Sequence, residues 1–67
     1  MSEIQLNFVK EFDTSVINHL DDKSIEFQDF IKLKVDEIYN VFNIYSGVKT
    51  MTTFVDYKDI KFKITVQ

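Results

Sequence analysis

A small α+β domain is the fold class this sequence predicts: an antiparallel or mixed β-sheet of three to four strands, order β-(β)-α-β-β, with one long helix packed on one face. Three stretches predict it. IQLNF and IKFKITVQ alternate apolar and polar residues as half-buried strands do, while FIKLKVDEIYNVFNIYSG, between them, repeats its apolar residues at helical spacing.

In residues 3–11 the alternation sets Ile4, Leu6 and Phe8 on one face and Gln5 and Asn7 on the other, which predicts a strand. Residues 14–20 have two readings. A second strand joined through FDTS is preferred; the alternative is a short helix capped by Asp13 or Thr14, since Phe8, Phe12, Val16 and Leu20 recur every four residues. Ser24 then caps a helix predicted over 24–46, with Asp21, Asp22 and Glu26 placed against its positive end and Gly47 as the left-handed stop. Phe27, Phe30, Ile31, Val35, Ile38, Val41, Phe42 and Tyr45 fall in one arc of that helix, the face that packs on a sheet. A β-hairpin is predicted over 48–66, with DYKD holding a connection of about two to four residues. In its second arm Ile60, Phe62, Ile64 and Val66 point inward and Lys61, Lys63, Thr65 and Gln67 outward.

This order of elements is similar to the ubiquitin-like β-grasp arrangement. The resemblance implies the arrangement alone, because ITVQ stands where that family's modifiers carry the paired glycines used in conjugation.

Sixty-seven residues make a single domain, 1–67, and a domain of this size hides only about 60% of the surface of its unfolded chain. Small scaffolds are commonly stapled by disulfides, by a metal or by association; with no Cys the first is impossible, and association becomes the expectation. Ala, Arg, Pro, Trp and Cys are absent and Gly occurs once, whereas Ile, Lys, Asn, Phe and Tyr are plentiful, which is the signature of AT-rich coding. A virus or mobile element of a low-GC bacterium is the expected origin. MSEIQLNFVKEF lacks the basic and apolar regions of a secretory signal, so the expected compartment is the cytoplasm. The long helix is not a membrane span, because Lys32, Lys34, Asp36 and Glu37 would lie near the bilayer centre.

Chemistry finds little material. NHLDDKS gathers His19, Asp21 and Asp22, but without the paired spacing of a zinc site or the alternate oxygens and Gly of a calcium loop, so no metal is expected. Ser15 and His19 could share a helical face, yet no orienting carboxylate is specified, and the chain reads as no enzyme, with no cofactor. A single Gly excludes phosphate-cradling loops. The net charge of −3 is uneven: residues 1–22 hold five acids and one lysine, residues 48–67 four lysines and two acids. Lys49, Lys58, Lys61 and Lys63 on the hairpin, with Tyr57 at its tip, make a nucleic-acid-binding ribbon the alternative reading. Absent Arg and the acidic whole weigh against it, and the same lysines could instead guard a sheet edge.

Two residues of the predicted helix fall opposite its core arc. Leu33 and Ile44, eleven residues or about three turns apart, lie beside Glu26, Asp29, Glu37 and Asn40, flanked by Ile25 and Tyr39. Met51, Val55 and Tyr57 are expected together on the uncovered sheet face. These positions make Leu33, Glu37, Tyr39, Asn40, Ile44 and Tyr57 the candidate partner-binding residues. The function expected is a small protein-binding module, an inhibitor or regulator of a host protein that also pairs with itself as a homodimer. A structural subunit joined to its neighbours by strand addition is a further alternative.

Overall fold

The structure, a computed structural model, describes residues 2–67. Its elements are β1 (Ser2–Phe8), a 3-10 turn (Thr14–Val16), α1 (Ile25–Phe42), β2 (Met51–Tyr57) and β3 (Ile60–Val66). The strands form one sheet in the order β1-β3-β2, with β3 in the middle, parallel to β1 and antiparallel to β2. α1 lies across β2 and β3, while the 3-10 segment packs on β1. The fold is α+β, with a mixed sheet covered on one face by one helix.

Alternation in β3 buries Phe62, Ile64 and Val66, and the parallel register sets Leu6 beside Ile64 and Phe8 beside Val66. From above, Phe27, Ile31, Val35 and Ile38 of α1 close the same core. Each such side chain contributes about 1.5–3 kcal/mol by leaving water, which is what a domain this small depends on. The helix starts where its sequence says it should: the Ser24 hydroxyl accepts from the Phe27 N–H at 3.1 Å, and Glu26 sits in the first turn.

Four sequence expectations need correction. Residues 14–20 are no strand. Asp13 caps a single 3-10 turn, Thr14–Val16, through its carboxylate, and Phe12, Val16, Ile17 and Leu20 fold down against the core, so the segment is neither the strand nor a helix over 14–20. The second strand of a β-grasp order is therefore absent from the described residues. β1 stops at Phe8 rather than continuing to 11, because Lys10 takes a φ of 71° in a γ-turn closed by the Glu11 N–H on the Val9 carbonyl at 2.8 Å.

α1 ends at Phe42, not at Ser46. Asn43 donates back to Tyr39, and Ile44 closes a tighter turn onto Val41 at 3.0 Å. The reason is length: seven-residue strands span about 23 Å, an 18-residue helix about 27 Å, and further turns would overhang with nothing beneath them. Gly47, at φ 86°, serves the connection that follows instead.

The last correction concerns β2. Its connection to β3 is only Lys58-Asp59, with φ of 49° and 66°, a two-residue turn of the I′ type made without glycine. Tyr57 therefore faces Ile60 directly, and Met51, Thr53, Val55 and Tyr57 all point toward the helix. Met51, Val55 and Tyr57 are part of the covered face, and Phe54 is the large residue on the other.

Ile31 and Leu33 give a direct test of which helix face is covered. Ile31→Ala is expected to cost about 2–5 kcal/mol in a urea titration, and Leu33→Ala no more than about 0.5 kcal/mol.

Two exposed turn carboxylates contribute to the loss of stability in acid. The Ser15 backbone N–H, and then its hydroxyl, holds Asp13 below its ordinary 3.8; the Ser24 backbone N–H and hydroxyl do the same for Asp22, with Lys58 adding a smaller pull. Because both native values are depressed, their stabilisation is complete above the unfolded value and is lost as pH falls through the native ones. The thermal midpoint is expected to drop below about pH 4, and Asp22→Asn, which keeps an acceptor oxygen but cannot titrate, should flatten that drop.

Candidate functional site

Two hollows and one open face stand out among the described residues as places where another molecule could sit. The first hollow, about 260 Å³, lies at the end of the core nearest the β2–β3 turn, floored by Ile4, Phe27, Ile60 and Phe62. His19, Asp21, Asp22 and Lys58 stand at its mouth, where Lys58 Nζ is 3.9 Å from Asp22. Among the described residues no three His, Asp or Glu side chains converge to hold a metal ion. Tyr57 borders this hollow with its ring against Phe27 and Phe30, and its buried hydroxyl finds no hydrogen-bond partner.

The second hollow is a groove of about 420 Å³ between α1 and β2. Its helix wall is Lys34, Glu37, Ile38 and Val41, and its other wall is the strand from Met51 to Val55. Lys34 and Glu37 pair along the helix at 3.6 Å, and Lys34 also lies 5.5 Å above the Phe30 ring. β2 is an outer strand, so one side of its backbone is unpaired. In a two-residue hairpin the residues flanking the turn exchange hydrogen bonds, which makes 51, 53, 55 and 57 the positions bonded to β3. The N–H and C=O groups of Thr52, Phe54 and Asp56 therefore point away from the sheet, along the lip of the groove. Edge strands are commonly blunted by Lys, Pro or a bulge. β2 carries no Lys or Pro, and its pairing runs unbroken from Met51 to Tyr57.

The sheet face opposite the helix is mostly polar. Gln5 donates to Asn7 at 2.8 Å and to Thr65 at 3.1 Å, and the Thr52 and Thr65 hydroxyls meet at 3.0 Å. Phe54 interrupts this lattice. It is 55% exposed, with Lys61 Nζ 5.9 Å above its ring. Lys61 and Lys63 are half-buried in the middle of this face, on the central strand. They guard no edge, and because β1 occupies the other side of β3 the hairpin is part of a three-stranded sheet and not a free two-stranded ribbon.

The residues singled out from the sequence scatter. Leu33 (55% exposed) and Asn40 are on the outer side of α1, while Ile44 (75% exposed) lies past the helix end, so the three-turn alignment of Leu33 with Ile44 does not exist. Tyr39 belongs to the flank of the core: its hydroxyl donates to the Gln67 carbonyl at 3.1 Å, its ring meets Phe42 edge-on at 5.9 Å, and burial raises its phenol above the ordinary 10.0. Tyr57 packs half-buried against the core. Glu37 alone among them lines the groove. Val41, Lys34 and Phe54 were missed; the signal for Phe54 was the parity of a two-residue turn, which places every even-numbered residue of β2 outside.

Of the eight exposed large apolar residues among those described, four lie between positions 41 and 48, at the end of the groove where β2 begins. Compared with known families, curated proteins and solved structures, the chain matches none of them.

The orphaned hydroxyl has a measurable cost. Tyr57→Phe, which keeps the ring packing and removes an unsatisfied polar atom, is expected to raise unfolding stability by about 1 kcal/mol in chemical denaturation.

Proposed function

We propose that this chain is a small non-enzymatic protein-binding module that takes up an extended polypeptide along the β2 edge and over the α1/β2 groove. The observation that carries the reading is the unblunted edge of β2 beside that groove. Strand addition would satisfy the outward N–H and C=O groups of Thr52, Phe54 and Asp56, while Val41 and Phe54, 44% and 55% exposed, supply apolar anchors on either side. Lys34 and Glu37 form a polar rim, the usual surroundings of such anchors.

Size and AT-rich composition support the finer reading of an inhibitor or regulator of a host protein, encoded by a virus or mobile element of a low-GC bacterium and acting in the cytoplasm. No helix of the described residues is long and apolar enough to cross a membrane. Binding through such an edge needs no reactive group; its affinity comes from main-chain pairing and its selectivity from the side-chain positions around Phe54.

Tagged chain incubated with a low-GC bacterial lysate, with capture read by mass spectrometry, tests this. Thr52→Pro removes an outward N–H and leaves the bonds to β3 in place, and Phe54→Lys installs an edge charge. Each is expected to reduce the specific capture at least about tenfold, equivalent to about 1.4 kcal/mol, while Leu33→Asp leaves it unchanged. Capture indifferent to both β2 variants would refute the proposed surface.

A further inference from the structure

We infer that the polypeptide seated on the β2 edge is the β2 strand of a second copy, giving a two-fold dimer with a continuous six-stranded sheet. This rests on the reading of that edge as a docking surface and names the occupant it has when no other extended segment competes for it.

The sequence of β2 is self-complementary about Phe54. In an antiparallel pair centred there, Phe54 meets its symmetry mate, Thr53 meets Val55, Met51 meets Tyr57, and Thr52 meets Asp56. The outward-pointing backbone positions 52, 54 and 56 pair with one another, so every bonding group on the edge finds a partner. The one charge on the strand, Asp56, faces a hydroxyl and not another charge.

The helix obeys the same axis independently. Phe30 packs on Tyr57 at 4.9 Å, and Val41 borders the groove beside Met51, so the point of α1 level with Phe54 falls between Lys34 and Glu37. A two-fold axis at that point sets Lys34 opposite the Glu37 of the second copy, Glu37 opposite its Lys34, and Phe30 opposite its Val41. Each lysine–glutamate pair, 3.6 Å apart within one chain, becomes part of a four-charge ring of alternating sign. Spacing agrees as well. Strands lie about 4.8 Å apart and each helix straddles β2 and β3, so pairing brings the two helix axes to roughly 10 Å, ordinary helix-packing distance. The groove of about 420 Å³ would be filled from both sides, and Val41 would lose its contact with water.

Sedimentation equilibrium over micromolar to millimolar concentration tests this, with far-UV circular dichroism confirming that each variant is folded. The chain is expected at twice its 8.0 kDa, and Phe54→Lys and Thr52→Pro at 8.0 kDa. Lys34→Glu should weaken the dimer at least about tenfold, because like charges then face each other twice. Lys34→Glu combined with Glu37→Lys should restore it, an effect that loss of folding or of general solubility would not produce. Because the chain has no cysteine, Phe54→Cys puts a single thiol on the axis and should oxidise to a covalent dimer, which Leu33→Cys should not. A wild-type chain that stays monomeric to millimolar concentration overturns the dimer, as does a dimer that survives Phe54→Lys and ignores the charge exchange. A monomer whose capture of another protein is lost with Thr52→Pro would overturn self-pairing and leave the docking edge standing. A monomer whose capture ignores that change would overturn both.

Discussion

β3 has a neighbour on each side and a helix above, and the remaining elements are placed by that arrangement. Its inward residues Phe62, Ile64 and Val66 are enclosed because β1 brings Leu6 and Phe8 alongside, β2 brings Val55 and Tyr57, and α1 closes over them with Phe27, Ile31 and Val35. A strand so enclosed leaves two others at the margins. β1 is sheltered on the helix side by the 3-10 segment, whose Ile17 is buried and whose neighbour Phe12 stacks on Phe8 at 5.6 Å. β2 receives only part of α1 and keeps a groove where a second cover would fit. The proposed docking surface is in this sense what remains once one helix has covered as much of a three-stranded sheet as its width allows.

Much of the fold was legible because its signals are local. The period of two in IKFKITVQ and the period of 3.6 from Phe27 to Ile38 each follow from which side of one element is dry, and the Ser24 cap needs only the residues around it. What was illegible depended on distant parts. The end of α1 at Phe42 is set by the length of strands it never touches in sequence, and Gly47 misled because a left-handed residue serves equally well in a turn that follows a helix. Residues 14–20 carried both periods, and the single 3-10 turn that covers β1 follows neither throughout.

The candidate site was less legible than the fold. One register step inverts a strand, so without knowing that Lys58-Asp59 is the whole turn the inward and outward sets of β2 could not be told apart, and Tyr57 was assigned to the wrong side. Leu33 and Ile44 looked paired only on a helix longer than the real one. Glu37 was found for its neighbours on the outer helix, yet its position in the structure associates it with Lys34 and with β2. A groove between a helix and a strand nine or more residues away in sequence has no periodic signature of its own.

The parallel pairing of β1 with β3 also governs the order of assembly. Ser2 pairs with Ile60 and Phe8 with Val66, so the first strand made waits for the last. Long-range pairing of this kind must pay its loop entropy before any reward, and slows collapse relative to helical bundles of the same length. Neither β1 nor α1 can close its buried side before the central strand is in place, because both pack on Phe62, Ile64 and Val66, more than fifty residues downstream of β1.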